Sequence, residues 1–449
     1  MTITHVANLI DNFYQLLSVS VFIHVFTIAV YKKYNHLHLL LSFISMQKIS
    51  IIIVSIFLFS SCNSQEEKKV PVVTLPHHNF FRPLSDLEKL NYHNSIEPFY
   101  DKHIKKTGFS GAVLIAKNGE IVFEDYQGFI DQKTKEPITA HTPFHLASVS
   151  KTFTGMTVLH LIEQGRLHLE DDVKKILPDF PYQNITIKLL LCHKSGLPNY
   201  LNFVDNVRTE YYETKNKKGK TVTKKRTVKI KSSINFSLTN ETLYQYLVTK
   251  KPQVQAQPDK FFNYCNTNYA LLACIVEKIT QQPFPKYMKD SVFSVLGMND
   301  TYIFNETLSS SYVPTYTGKN SWPLDKLDFV YGDKNVYSSV HDMLLWDKAL
   351  YENKFISATT LNMAVQPYAY ERRTGHYYGL GWHLINIYPD PIIPYHNGKW
   401  HGTNTVFKRV ISDTATIIVL GNKLNNNIYK AGQLSSIFNG KQDTTRVEE

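Results

Sequence analysis

FHLASVSKTFTGMTVLHLIEQGRLHLEDDVKKILPDFP, residues 144–181, places Ser148 three residues ahead of Lys151 at the start of a segment with helical periodicity. From Ser150 onward, Phe153, Met156, Thr157, Leu159, His160, Leu161 and Ile162 recur at a spacing that predicts a helix, stopped near Gly165. One helical turn brings residues three apart to the same face, so a helix that begins near the serine sets Lys151 beside it. That proximity is useful because a serine hydroxyl is a weak nucleophile at neutral pH, and a partly desolvated amine can take its proton. A helix start also offers backbone N–H groups to developing negative charge. Ser-x-x-Lys by itself is common and defines no site.

The flanks decide the architecture. Upstream, residues 109–116 and 120–130 are apolar-rich runs separated by Lys117, Asn118 and Gly119. Asn-Gly tolerates the positive φ angles of a tight turn, so the two runs predict a β-hairpin. Downstream, residues 402–410 and 414–421 read the same way around 411–413. Between these ends the period changes to that of helices, over 268–280 and 340–351 as well as after Ser150. A helical middle held between terminal strands implies one sheet domain with an inserted helical region, and a cleft between the two as the place for chemistry. At 449 residues and 43% apolar content the chain can bury a full core, as one large domain or two interlocked ones. No internal repeat is evident.

Further segments carry a resemblance. ITIKLLLCHKSGLP (185–198), FNYCNTNYALLACIVEKIT (262–280) and SVLGMNDTYIF (294–304) follow the opening stretch in order. Together they resemble the serine beta-lactamase-related family of penicillin-recognising hydrolases, which includes class C beta-lactamases, DD-carboxypeptidases, esterases and D-amino-acid amidases. The resemblance covers about residues 100–425. It implies an α/β (α+β) fold of beta-lactamase/transpeptidase type: an antiparallel sheet flanked by helices, with an inserted mainly helical region. It also implies that Ser148 is the acylated nucleophile and that Lys151 helps to deprotonate it. The family's Tyr-x-Asn motif is met by Tyr264, Cys265 and Asn266. The resemblance makes Tyr264 a proton shuttle, and Asn266 a ligand of the substrate amide that also orients the lysine. Cys265 occupies a position where serine is frequent and is no sign of cysteine catalysis. Where the family usually has Lys-Thr-Gly, this chain has His396, Asn397 and Gly398. Gly398 then leaves room for substrate along the strand. The amide of Lys399 joins that of Ser148 as an oxyanion hole. Histidine in place of lysine weakens a class C beta-lactamase assignment, with Lys399 as the replacement charge.

Tyrosine and lysine ordinarily titrate near 10 and 10.4, so each is mostly protonated at neutral pH; a closed pair can share one labile proton. Which of Lys151 and Tyr264 is the acylation base stays open at this level. The implied reaction is acyl transfer to Ser148 followed by hydrolysis of an ester, an amide or a D-Ala-D-Ala-type peptide. A true beta-lactamase is one alternative, and a catalytically decayed, lipid-anchored binding protein is another. The substrate is thus a small molecule or a peptidoglycan peptide, and a monomer is expected. His193 and Ser195 read as structural, Asp171 and Asp172 as loop and capping groups, and Phe144 and Trp400 as either cleft lining or packing.

Competing chemistries fit less well. Gly-x-Ser-x-Gly, His-Glu-x-x-His and the phosphate-binding Gly-x-x-x-x-Gly-Lys-Ser/Thr pattern are missing. His141 and His145 are four apart, but Pro143 disfavours a regular helix between them. The proposed chemistry needs neither metal nor cofactor. Besides Cys62, only Cys192, Cys265 and Cys274 are present, too few for a disulfide framework.

MQKISIIIVSIFLFSSC, residues 46–62, has a basic start at Lys48, an apolar run and small residues before Cys62. This resembles a bacterial lipoprotein signal, and implies lipidation of Cys62 and a protein held at a membrane, facing the periplasm or exterior. The resulting layout is a mis-started leader or extra membrane segment over 1–45, a signal over 46–61 and a polar tether over 62–95. The catalytic domain follows over 96–427, and a C-terminal helix and tail over 428–449. The apolar stretch at 16–30 is shorter than the roughly 20 residues a bilayer-spanning helix needs. The formal charge is +11. Residues 62–449 hold 46 basic and 37 acidic residues, and the whole surplus sits in KNKKGKTVTKKRTVKIK, which runs from Lys215 to Lys231 with nine basic residues and no acidic one. Such concentration argues against a nucleic-acid partner. The basic insertion, 207–233, reads as a hairpin turning at Gly219, either simply solvated or touching anionic lipid or an anionic envelope polymer.

Overall fold

A computed structural model describes residues 82–440 apart from 204–205, 216–220, 231–233, 235, 310–311 and 386–391, with the backbone alone described over 206–213 and 221–230. The chain divides into two units, Met1–Pro71 and Val72–Glu449, and the first lies wholly outside the described residues. The leader, the signal, Cys62 and the tether up to residue 81 therefore lie outside them too. No helix among the described residues is long and apolar enough to cross a membrane.

The tether expected to reach residue 95 ends earlier, because helix α1 occupies Asp86–His103. Its start is a capping box: Ser85 accepts from the Glu88 amide while the Glu88 side chain accepts from the Ser85 amide. Only Ile96 and Tyr100 are fully buried along α1, and this sparse apolar pattern makes the segment read as a linker.

Eight strands form the central sheet: β1 Gly111–Lys117, β2 Glu120–Gln127, β3 Ala369–Glu371, β4 His376–Tyr378, β5 His383–Ile385, β6 Ile393–Trp400, β7 Thr403–Val410 and β8 Ala415–Gly421. Their order is β3-β4-β5-β6-β7-β8-β1-β2, every pair antiparallel. The β1–β2 hairpin turns on Asn118 (φ 54°) and Gly119 (φ 70°), as Asn-Gly predicts. Alternate residues of β1 point to opposite faces. Val113 and Ile115 pack with Ile96 and Tyr100 of α1 and with Ile428 and Leu434 of the C-terminal 3-10 helix Asn426–Ser435. Ala112 and Leu114 belong to the larger core with the helical region. The sheet is therefore covered on both sides, which explains why β1 and β8 are buried along almost their whole length and carry few polar residues.

The helical region contributes α2 Ser150–Glu163, α3 Asn266–Thr280 and α4 Val340–Tyr351. Helix α2 is buried almost all round, and Phe153 stacks on Trp346 of α4 with ring centroids 4.5 Å apart. Burying one such ring contributes roughly 1.5–3 kcal/mol. The fold is thus an antiparallel sheet flanked by helices with an inserted helical region. The basic insertion forms two paired strands, Asn206–Lys215 and Thr221–Ile230. Gly219 and the rest of the turn lie outside the described residues.

Candidate active site

Ser148 sits in the 3-10 turn Ala147–Val149 that leads directly into α2. The turn is strained: Ala147 has φ 48°, in the left-handed region that an alanine avoids. Its surroundings hold it there. The Leu146 amide donates to the Val336 carbonyl at 2.8 Å, and Thr405 Oγ1 of β7 donates to the Leu146 carbonyl at 2.8 Å. Gly398 of β6 lies directly against the turn. A Cβ added there would stand 2.2 Å from Thr405 Oγ1, 2.4 Å from the Leu146 oxygen and 3.0 Å from the Ala147 Cβ. The room expected for substrate at Gly398 is therefore taken by the serine turn itself.

Lys151, the second residue of α2, is fully buried, and its Nζ donates to Ser148 Oγ at 3.1 Å and to the Asp333 carbonyl at 2.8 Å. Burial pushes its pKa down to about 7, a direction that the Asp333 charge opposes and Lys334 reinforces. The Tyr264 ring centroid is 5.0 Å from this amine. Tyr264 is wedged by buried His193, whose ring is 4.3 Å away and whose Nδ1 accepts from the Cys265 amide at 3.2 Å. Ser195 Oγ donates to Asn268 Oδ1 at 2.7 Å and ties the same segment to α3. His193 and Ser195 thus support the tyrosine from behind. Asn266 begins α3 two residues after Tyr264, half-buried, and is not among the residues that line the cavity at Ser148. The lysine is oriented by the Asp333 carbonyl and not by the asparagine.

A cavity of about 120 Å³ is lined by Ser148, Tyr264, His396, Gly398 and Lys399, together with Asn397, His383, Tyr395 and Tyr429. His396 Nδ1 donates to the Asn397 carbonyl at 2.7 Å, which leaves Nε2 to accept from Tyr378 Oη at 3.2 Å. Burial, then the neighbouring His383 and Lys151, hold its pKa well below the usual histidine range. His396 is therefore a neutral imidazole. Lys399 is exposed at the cavity rim. Cys265 is buried, and burial pushes its thiol up to about 11, so it is protonated and unreactive.

Several lining residues carry no local sequence signal. His383 Nδ1 donates to Glu371 Oε1 at 2.7 Å, both side chains being buried. Tyr429 Oη donates to the Gly398 carbonyl at 2.8 Å and accepts from Asn404 Nδ2 at 2.7 Å, so the C-terminal segment braces β6. Among the described residues, Asp325, Asp328 and His401 form a set close enough to hold a cation. The Asp328 oxygens, however, already accept from Trp400 Nε1 at 2.7 Å, His401 Nε2 at 2.9 Å and the Asp325 amide at 2.6 Å.

Chemically, the arrangement provides a hydroxyl beside an amine of lowered pKa, a phenol against the same amine, and a strand that closes the pocket. Comparisons place it among known proteins. Penicillin-binding protein 4* of Bacillus subtilis (strain 168) is 30% identical over 366 residues, 78% of this chain and 76% of that protein. The putative penicillin-binding protein PbpX of the same organism is 26% identical over 341 residues, 74% and 75% of the two chains. Among solved structures, a penicillin binding protein from Bacillus halodurans matches with a TM-score of 0.60 at 21% identity, over 75% of this chain and 98% of that one. The D-amino acid amidase of Ochrobactrum anthropi SV3 matches with a TM-score of 0.61 at 18% identity, over 78% and 98%. The family profile described as Beta-lactamase spans residues 96–433, and the chain belongs to that family of serine-hydrolase-related proteins with the beta-lactamase/transpeptidase fold.

Proposed function

We propose that the protein is a serine hydrolase that forms an acyl-enzyme at Ser148 with an ester, an amide or a D-Ala-D-Ala-type peptide, and releases the acyl group to water. The observation that carries this reading is the 3.1 Å contact of Lys151 Nζ with Ser148 Oγ at the floor of the cavity. In acylation the Ser148 Oγ–H bond breaks toward an amine while Oγ bonds to the substrate carbonyl carbon. The carbonyl π pair moves onto oxygen, which the backbone amides of Ser148 and Lys399 receive. When the tetrahedral species collapses, Tyr264 passes the proton to the departing nitrogen or oxygen, and in the second half it takes one from the attacking water. The family's substrate-amide ligand corresponds to Asn266, which begins α3 outside the lining of the cavity at Ser148 and reaches the substrate only where that substrate extends beyond the cavity.

A neutral, buried His396 supplies no fixed cation for a substrate carboxylate, which favours esters and amides over beta-lactams and D-Ala-D-Ala-type peptides alike, since both of the latter carry one. Relatives named as penicillin-binding proteins, together with the signal ahead of Cys62, support a place in the bacterial envelope, with lipidated Cys62 as the membrane anchor. The basic insertion is then near envelope polymers or anionic lipid.

The test is time-resolved intact mass of the protein with benzylpenicillin, beside Ser148→Ala. A serine-dependent adduct that persists supports a penicillin-binding peptidase, and a transient adduct with hydrolysed drug makes the protein a beta-lactamase. If penicillin, p-nitrophenyl esters and D-amino-acid amides all fail to acylate or turn over, the hydrolase reading is wrong and the fold serves binding alone.

A further inference from the structure

Behind Ser148 the fold buries two amines and a single carboxylate close to them both. Lys151, Lys334 and Asp333 are each at most 2% exposed. Asp333 meets the two lysines through different atoms. Its backbone carbonyl accepts from Lys151 Nζ at 2.8 Å. Its carboxylate Oδ2 accepts from Tyr200 Oη at 2.7 Å and lies 3.8 Å from Lys334 Nζ, which itself donates to Tyr200 Oη. A carbonyl dipole does not balance a full charge in a dry interior, whereas a carboxylate does.

The remaining neighbours divide the same way. Lys334 Nζ lies over the Trp400 ring, 4.8 Å from its centroid. The indole N–H of Trp400 donates to Asp328; burial lowers the Lys334 pKa, and the charges of Asp333, Asp328 and Asp325 oppose that and favour its ammonium form. His401, bonded to Asp328, and buried His145 are the other titratable groups on that side. No carboxylate oxygen contacts Lys151 directly, and the Asp333 charge acts on it only through space. From the 3-10 turn ahead of α2 it meets the Ser148 hydroxyl, and from the α3 side the ring faces of Tyr264 and Tyr269 at 5.0 and 5.7 Å. The Cys265 thiol is held protonated, and His193 and His396 are held neutral by burial.

We propose that Lys334 is a positioning residue: it is the resident ammonium that neutralises Asp333, and it thereby leaves Lys151 as the uncharged amine that takes the Ser148 proton. The consequence for the reaction rests on acylation at Ser148; the assignment of charge does not. It makes Lys151 the acylation base and leaves Tyr264 to carry the proton onward. The second Asp333 oxygen, Oδ1, is buried with no hydrogen-bond partner among the described residues, so the carboxylate would draw the nearest remaining ammonium if Lys334 were removed.

The test uses the full-length protein labelled with [ε-13C]lysine. The Lys151 ε-carbon is followed from pH 5 to 10 and identified by its loss in Lys151→Arg. The wild-type midpoint is expected near 7. In Lys334→Met it is expected at least one unit higher, which lowers the uncharged fraction at pH 7 at least about fivefold; Lys334→Arg returns it toward the wild-type value. Asp333→Asn, which keeps the backbone carbonyl, is expected to move the midpoint the opposite way, to lower pH. The pH profile of Ser148 acylation by a fluorescent penicillin should follow the same order. A midpoint that stays put in folded Lys334→Met overturns the proposal. If that variant does not fold, an unmoved or raised midpoint in Asp333→Asn overturns it instead. Because the resonance reports the lysine whether or not the serine reacts, a wild-type protein that never acylates counts against the hydrolase reading and not against the charge assignment.

Discussion

Replacing Gly398 by alanine tests how the serine turn is built. The added methyl would meet Thr405 Oγ1 at 2.2 Å and the Leu146 carbonyl oxygen at 2.4 Å, each roughly 1 Å inside an ordinary contact, and would touch the Ala147 Cβ at 3.0 Å. The threonine can rotate away at the loss of its 2.8 Å bond to Leu146, worth about 1 kcal/mol. The backbone carbonyl cannot rotate away, so β6 and the turn must separate by up to about 1 Å. Overpacking of this kind costs about 1–3 kcal/mol, and a displacement of about 1 Å at a nucleophile lowers the rate about a hundredfold. Gly398→Ala is therefore expected to lower the urea midpoint modestly while slowing acylation of Ser148, measured by stopped-flow with a fluorescent penicillin or a p-nitrophenyl ester, by two orders of magnitude. Thr405→Ala alone should cost only its hydrogen bond. The double variant should remain slow, because the clash with the Leu146 carbonyl persists. Acylation of Gly398→Ala within twofold of wild type, or full recovery in the double variant, would refute this account.

Two further outcomes are expected. Arg409 is fully buried with its Nε on Asp347, while Nη1 and Nη2 lack partners among the described residues. Asp347→Ala strands that guanidinium and should cost about 3–5 kcal/mol in urea unfolding, with Asp347→Leu/Arg409→Met nearer to wild type; a loss below about 1 kcal/mol in the single variant would show that the pair is not needed. Deleting the segment from Lys215 to Lys231 should change the preference between anionic and neutral substrates if the basic insertion selects them, and equal kinetic ratios before and after deletion would remove it from the site.

Residues whose partners are near in sequence were readable in advance. Asn118 and Gly119 announced the β1–β2 turn, α4 spans the 340–351 segment that its periodicity marked, and the three-residue spacing of Ser148 and Lys151 became a 3.1 Å contact. Helix α1 was hidden because its apolar residues are few, although the Ser85 and Glu88 capping pair was present in the sequence. Asn266 was read as the residue that orients the lysine, but the Asp333 carbonyl, 182 positions along the chain from Lys151, makes that contact. Glu371 with His383, and Tyr429 with Gly398, likewise meet only because strands and the C-terminal segment close around one cavity.

The sequence by itself determined the local elements, the order of the motifs and the closeness of Lys151 to Ser148, since periodicity, turn chemistry and i, i+3 spacing are short-range properties. Tertiary structure alone decided which groups share a buried charge, why residue 398 must lack a side chain and why His396 is neutral. Desolvation and steric contact are set by neighbours that the fold brings in from distant parts of the chain.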